Sequence, residues 1–300
     1  MGDCRDEFLV EVEVKLEGEG TVLHLSQLES EPNLWRIEEP PKEEGVTSPL
    51  RGLLMTYVDD IFVAAEEEVS AAVIEAIRQK WKTSEPDVVG EKPIRFLGME
   101  VTKVKNQETG REEWYVTQES FIKDLLQKDP EEIKKRKIPI TQDQSLMPAE
   151  LEENRTPEGI REAQKAVGEM LWLVTRSRPD LMFSTARIGA NATKHPSQVM
   201  AIYQQLKGYL KATEDEGLFF STDGQGPIMI EALADASFSP DGEESHGAFL
   251  IQVGGCPIFW RSGRQQLVAL STAEAEMMEI VQGMLAGESI AVIAEEVFLK

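Results

Sequence analysis

Two neighbouring carboxylates, Asp59 and Asp60, stand between two short apolar runs in the stretch LLMTYVDDIFVAA (residues 53–65). An apolar run, a short polar break and a second apolar run is the pattern of a buried β-hairpin, with both acids at its tip. Charges held there need a partner, and a divalent cation is the usual one. Oxygen ligands with no His or Cys close by in sequence suit Mg²⁺ rather than zinc. Paired carboxylates of this kind can hold two metal ions across a phosphoryl transfer. A bare Asp-Asp pair is also what an ordinary β-turn contains, and it is the frame of Tyr57 and flanking strands that favours the metal reading. A second group of acids lies in Ser271-Thr272-Ala273-Glu274-Ala275-Glu276. Ser271 and Glu274 have the spacing of a capping box, which gives Glu274 a structural task and leaves Glu276 as the better ligand. Both acids also complement a helix N-terminus, an effect of ~0.3–1 kcal/mol.

The elements that must position these groups can be read from periodicity. Residues 8–16, FLVEVEVKL, alternate apolar and acidic positions and predict an edge strand. The loop Glu38–Gly45 follows, broken by prolines and charge. A helix is expected from Glu67 to Trp81, with Val69, Val73, Ile77 and Trp81 on one face. Ile94–Val104 and Trp114–Thr117 pair as strands across the turn NQETG, and Gln118–Leu126 is a short helix. Asp129–Pro157 is a linker-like connection whose basic run, Lys134 to Lys137, is a solvated face. Three helices follow, one ending near Arg176, one starting after Pro179 and one from Ser197 to Ala212. From Leu218 the period becomes two, with strands at Leu218–Phe220, Ile228–Ala234, Ala248–Val253, Pro257–Arg261 and Gln266–Leu270. A helix then runs from Ala273 to about Leu299, with Met277, Ile280, Val281 and Met284 as its packed face.

Bulk properties constrain the function. Three hundred residues exceed one ordinary core. No continuous run approaches the ~20 apolar residues of a bilayer span, and the N-terminus does not read as a signal peptide, so the expected setting is intracellular, cytoplasmic or nuclear, without membrane contact. Two cysteines, Cys4 and Cys256, cannot make a disulfide framework. His24, His195 and His246 are scattered without metal-ligand spacing and are expected on the surface or in loops. The formal net charge is −23, which disfavours tight binding of phosphate backbones. Residues 160–213 alone are basic, with 8 basic and 3 acidic side chains. Residues 214–300 carry 3 basic and 15 acidic ones.

The hairpin stretch resembles the YVDD strand–turn–strand of reverse transcriptases in the form seen in copia-type (Ty1/copia) LTR retrotransposon Pol polyproteins. RFLGMEV (95–101), VTQESFIKDLL (116–126), the RPD of residues 178–180 and YLKATEDEGL (209–218) follow in that family's order. LADASF (233–238) resembles the opening of the family's ribonuclease H, and PIFWRSGRQQLVALSTAEAEMMEI (257–280) resembles its continuation. The resemblance implies an α+β chain. It would hold a partial reverse transcriptase palm (a ferredoxin-like remnant), a helical connection and an incomplete ribonuclease H-like sheet with one helix. The implied divisions are 1–50, an acidic and weakly palm-like segment; 51–128, palm and thumb; 129–217, connection; and 218–300, ribonuclease H-like. It implies Asp59, Asp60, Asp235 and Glu276 as catalytic Mg²⁺ ligands, with Asp235 and Glu276 roughly 4–6 Å apart on one metal. Its partners would be an RNA template with a DNA primer, or an RNA–DNA hybrid, bound weakly here because of the charge. The family also uses an aspartate upstream of YVDD and further acids beyond the first ribonuclease H helix, and neither is recognisable in this sequence. Three functions therefore compete: an RNA-directed DNA polymerase with ribonuclease H, an inactive remnant or captured retroelement protein, and a protein-interaction module.

Overall fold

The computed structural model describes all residues except 1, 17–19, 42–47, 91, 129–131, 147–149, 222–228, 239–244 and 300, and the side chains of residues 2–4. Parts of the expected loop Glu38–Gly45 and of the connection Asp129–Pro157, and Ile228 of an expected strand, lie outside the described residues. The architecture is mixed α+β, with three antiparallel sheets and eight α-helices among the described residues. The chain divides into two compact units, residues 1–88 with 288–300, and residues 89–287.

The first unit is built on a five-stranded meander in sequence order: β1 (Val14–Lys15), β2 (Val22–Gln27), β3 (Leu34–Glu38), β4 (Leu50–Tyr57) and β5 (Asp60–Ala65). Two complete helices belong to it, α1 (Gly2–Glu11) and α2 (Glu67–Lys80), together with residues 288–299 of the last helix. On α2, Val69, Val73 and Ile77 recur every four residues and are buried with Leu23, Trp35, Ile37 and Leu54. Glu67 and Glu68 begin that helix while Arg78 and Lys80 end it, which suits its dipole. The alternation in residues 8–16 does not give one strand. Residues up to Glu11 are helical and only Val14–Lys15 pair with β2. Packing explains the difference: Leu9 is fully buried, and Phe8 meets Trp81 edge-on with ring centroids 4.5 Å apart. Tertiary contacts of this kind override local pattern.

The second unit opens with the hairpin β6 (Ile94–Phe96) and β7 (Met99–Lys105), followed by β8 (Glu112–Thr117) and later β9 (Leu218–Ser221), in sheet order β6-β7-β8-β9. The turn after β7 forms as its composition suggests, with Asn106 Oδ1 accepting from the amides of Glu108 and Thr109 at 2.9 and 3.0 Å. Between β8 and β9 come α3 (Glu119–Gln127), α4 (Gln142–Ser145), α5 (Pro157–Val174), a 3₁₀ turn at Pro179–Leu181, α6 (Met182–Asn191) and α7 (Pro196–Ala212). Their core gathers Ile122, Met170, Leu173, Ile188, Ile202 and Leu206, all fully buried. The short α4 falls inside the expected linker, closed by a Thr141–Gln144 capping box. The strand at Leu218, expected to open the last sheet, instead pairs with β8, where Leu218 faces Val116.

The last sheet has the order β10 (Ile230–Ser237), β11 (His246–Val253), β12 (Cys256–Arg264), and α8 (Thr272–Leu299) follows it. Gln266–Leu270 is not a strand but a bend, with Leu267, Val268 and Leu270 exposed. The face of α8 that meets the sheet also differs from the expected one. A Cβ on Gly283 would stand 3.5 Å from those of Ala234 and Phe249, and one on Gly247 would collide with the Glu279 carboxylate. The contact stripe is thus Ala275, Glu279, Gly283 and Gly287, whereas Met277, Ile280, Val281 and Met284 are exposed. Small residues on both surfaces let the helix approach the strands closely, which large side chains would prevent. By length and composition α8 would also suffice to cross a bilayer, with a mean hydropathy of 1.4 over its most apolar stretch, of which 17% is buried. A count of uninterrupted apolar residues misses this because isolated glutamates break the run.

Candidate functional site

The YVDD stretch forms a two-residue hairpin. Tyr57 pairs with Asp60, so Val58 and Asp59 make the turn. Val58 has φ +52°, a conformation that a β-branched residue rarely adopts. Its carbonyl accepts from Arg5 Nη1 at 3.3 Å, which ties α1 to the turn. Tyr57, Val58, Asp59 and Asp60 are all exposed. The sequence expectation placed these acids against apolar strands in need of a counter-ion. The tip instead lies in solvent, where two carboxylates carry little desolvation cost and require no metal for stability. If the turn is strained, Val58→Gly should stabilise the first unit by about 0.5–1 kcal/mol, glycine's greater entropy loss offsetting part of the relief. Urea unfolding would show this as a higher midpoint, and a lower one would refute the strain.

The second pair is divided by the sheet. Strand side chains alternate between faces. Ala234 meets α8, and so does the face of Gly247, which is the register partner of Ala236. Asp235 lies between those two alanines and therefore leaves from the opposite face, sharing it with Ala248 and Ser262. It is exposed, and its Oδ1 accepts from the amide of Ala236 at 2.9 Å. Glu276 is exposed on α8, on the other side. The two carboxylates expected on one metal are not brought to one face. Among the described residues no group of three or more His, Cys, Asp or Glu side chains is arranged to hold a metal ion. The four carboxylates in these positions do not fit a two-metal ligand set.

Neighbouring acids behave differently. Ser271 Oγ accepts from the Glu274 amide at 3.2 Å, as the capping box predicts, while the Glu274 carboxylate reaches the amide of Leu270 at 2.6 Å. Glu274 thus has the structural task assigned to it. Glu279, which sequence reasoning passed over, is a buried acid of this helix, with Gln265 Nε2 at 3.4 Å. Its signal was available, because it lies four residues from both Ala275 and Gly283 on the small-residue stripe.

What the remaining landmarks do is clearer, for they build one polar framework within the second unit. Glu100, buried, accepts from the amide of Ser120 at 3.2 Å and so caps the start of α3. Gln118, fully buried, donates to the carbonyl of Trp172 at 3.3 Å and accepts from Ser177 Oγ at 2.8 Å. Arg178 grips Asp180 with two parallel bonds of 2.9 and 2.7 Å. It also donates to the carbonyl and hydroxyl of Thr213, at 2.9 and 2.8 Å. Burial opposes the charge on Arg178, yet the Asp180 carboxylate outweighs it and holds the guanidinium above its ordinary value. The Tyr209 hydroxyl, raised first by burial and then by Asp180, is hydrogen-bonded to the same carboxylate. The RPD and YL-x-x-T landmarks therefore meet. They are a clamp joining the start of α6 to the end of α7.

Comparison with known proteins fits this picture. No family profile and no solved structure matches the chain. Over 116 residues it is 30% identical to the secreted RxLR effector protein 161 of Plasmopara viticola, a match covering 38% of this chain and 81% of that protein. The chain belongs to the same family as that protein. Over 231 residues, 75% of its length, it is 25% identical to the retrovirus-related Pol polyprotein from transposon TNT 1-94 of Nicotiana tabacum. It is 23% identical, again over 231 residues, to the Pol polyprotein from transposon RE2 of Arabidopsis thaliana. These matches span 17% and 15% of the two polyproteins. The family member at hand is thus a distant relative of copia-type Pol polyproteins and a retroelement-derived protein.

Proposed function

We propose that this chain is the palm end, helical connection and opening of the ribonuclease H of a copia-type Pol polyprotein, retained as a folded framework that does not turn over nucleic acid by itself. In that reading Asp59 and Asp60 correspond to palm ligands of Mg²⁺, and Asp235 and Glu276 to ribonuclease H ligands. The observation that carries the proposal is the contrast between two sets of family landmarks. The framework residues Glu100, Gln118, Arg178, Asp180 and Thr213 are all hydrogen-bonded, whereas Asp235 leaves its sheet on the face away from α8, the helix that carries Glu276. RNA–DNA hybrid binding is weak in this account, since the net charge is −23 and Arg178, Arg187 and Lys207 of the basic segment are buried.

The test is hybrid cleavage and primer extension by the full chain in Mg²⁺, with Asp59→Asn and Asp235→Asn as controls. The proposal expects neither product above background. Turnover that either substitution abolishes would overturn it and restore the enzymatic reading. A second reading, an interaction protein, is favoured by the kinship with an effector and by the exposed Met277, Ile280, Val281 and Met284 of α8. Pull-down with Met277→Lys/Met284→Lys should lose partners in that case, and an unchanged partner set would count against it.

A further inference from the structure

Strand β10 (Ile230–Ser237) is an edge of the last sheet, paired with β11 on one side only. The register tells which of its backbone groups face outward. The carbonyl of Met229 accepts from the amide of Gly254 at 2.8 Å, which makes them a bonded pair of the antiparallel ladder. Bonded and non-bonded pairs alternate along such a ladder. Glu231, Leu233 and Asp235 therefore bond to β11, and the amides and carbonyls of Ile230, Ala232, Ala234 and Ala236 point away from the sheet. Asp235 Oδ1 covers one of these groups, the Ala236 amide, at 2.9 Å. Among the described residues nothing else bonds to the outward groups, so the rungs at Ile230, Ala232 and Ala234 are open.

Edge strands of soluble proteins are ordinarily blunted by shortness, lysine, proline or a bulge. β10 has none of these: it is 8 residues long, lacks Lys and Pro, and keeps one register throughout. Its two faces specify what would pair with it. On the face away from α8 stand Glu231, Leu233 and Asp235, all exposed, Leu233 to 55%. Their register partners on β11, Gln252, Leu250 and Ala248, carry no charge. On the α8 side stand Ala232, itself exposed, and Ala234, which leave room beside them for β-branched side chains. A second copy of β10 fits poorly. Antiparallel pairing centred on Leu233 would set Glu231 opposite Asp235 at both ends, and like charges so opposed are unfavourable.

We propose that the outer edge of β10 takes up an extended segment of another protein as an added antiparallel strand, with basic residues opposite Glu231 and Asp235 and a large apolar residue opposite Leu233. Main-chain bonds to the open rungs hold the segment, and its alternate side chains select it. The two carboxylates supply the charge preference, and Leu233 gains a cover that the sheet does not give it. The site gives the interaction reading a surface separate from Met277 and Met284, so the pull-down above and the experiment below fail independently.

The probe is the capped peptide Thr-Lys-Val-Leu-Val-Lys-Thr, whose two valines would bond to Ala232 and Ala234. Its control has the same charge but N-methyl groups on both valines, which remove the amides that the edge must accept. Amide hydrogen exchange of the full chain is followed by NMR at a peptide concentration about ten times Kd. The amides of Ile230, Ala232 and Ala234 should then slow about tenfold, and those of the β2–β5 sheet should not change. The N-methylated peptide should protect none of them. Equal protection by both peptides would reduce the effect to attraction between a cationic peptide and an acidic chain, and would overturn the proposal. Protection by neither would overturn it as well. So would edge amides already protected in the chain alone together with a two-copy mass in sedimentation, because β10 would then pair with itself. Glu231→Lys should weaken the unmethylated peptide about fivefold, and an unchanged affinity would overturn the assignment of a basic partner.

Discussion

Replacing Arg178 by alanine is expected to cost the second unit about 3 kcal/mol of stability. Its side chain is 1% exposed and makes four hydrogen bonds, two to Asp180 and two to Thr213. Bonds to a charged group contribute about 1.5–3 kcal/mol each where both partners are buried. Here Asp180 keeps about a third of its side-chain surface in water, 35%, so part of its loss is made good by solvent and the lower end applies. Truncation also leaves the carbonyl of Thr213 without its donor and opens a cavity against Tyr209, whose ring lies 5.6 Å from the guanidinium carbon. Arg178→Lys should recover some of this but not all, about 2 kcal/mol remaining lost, because an ammonium cannot reproduce the planar fork. Urea denaturation followed by far-ultraviolet circular dichroism measures both. A loss below about 1 kcal/mol for the alanine variant would mean that the clamp is ornamental.

Gly98→Val should cost a similar amount, about 3 kcal/mol, for a different reason. Leu97 and Gly98 form the two-residue turn between β6 and β7, with φ of +51° and +77°. Two consecutive positive φ values are the mark of a type I′ turn, where glycine is strongly preferred at the second position. A Cβ there would also stand 2.6 Å from Cζ2 of Trp172. That ring can retreat only by giving up contacts of its own. Arg176 lies over it at 3.5 Å, Phe121 is 6.4 Å away, and the Trp172 carbonyl holds Gln118. Gly110 supplies the control: its φ is +70°, and a Cβ there meets nothing within 4 Å. Gly110→Val should therefore show the backbone cost alone, about 1–2 kcal/mol. Equal losses at the two positions would show that Trp172 is not the obstacle.

Much of this framework was legible in the sequence because it is local or periodic. The stripe Val69–Val73–Ile77, the prolines that open α6's 3₁₀ entry and α7, and the Asn106 turn each follow from spacing within a dozen residues. The misreadings at β10 and α8 required knowledge of which face is inside. In β10 the larger Leu233 and the acid Asp235 alternate with alanines, and burial of the larger apolar residue is the ordinary guess. The alanines are inside instead, because α8 brings Ala275, Gly283 and Gly287 down onto them. That choice exposed Met277, Ile280, Val281 and Met284 and turned Asp235 away from α8 at the same time. One residue of register separates a paired site from a divided one.

His195 and His246 illustrate the same limit. Both were expected on the surface or in loops for want of metal-ligand spacing; His195 does lie in the loop before α7 but is 4% exposed, and His246 is half-buried beside Phe183. Burial of an imidazole depends on partners distant in sequence, such as Phe183 and Ser262, and no local pattern announces it. The landmark residues were informative in another way. Their order revealed kinship, and their bonding shows why a fold would preserve Arg178, Asp180, Tyr209 and Thr213 whether or not it catalyses anything.

The central claim is that the framework persists while the carboxylates stand apart, and Mn²⁺ binding by the full chain tests it most directly. Mn²⁺ replaces Mg²⁺ at oxygen sites and reports occupancy by electron paramagnetic resonance. The account predicts only weak, salt-sensitive association with the acidic surface, unchanged by Asp235→Asn or Glu276→Gln. A saturable site that both substitutions abolish together would contradict it, because one ion can depend on both carboxylates only if they share a face.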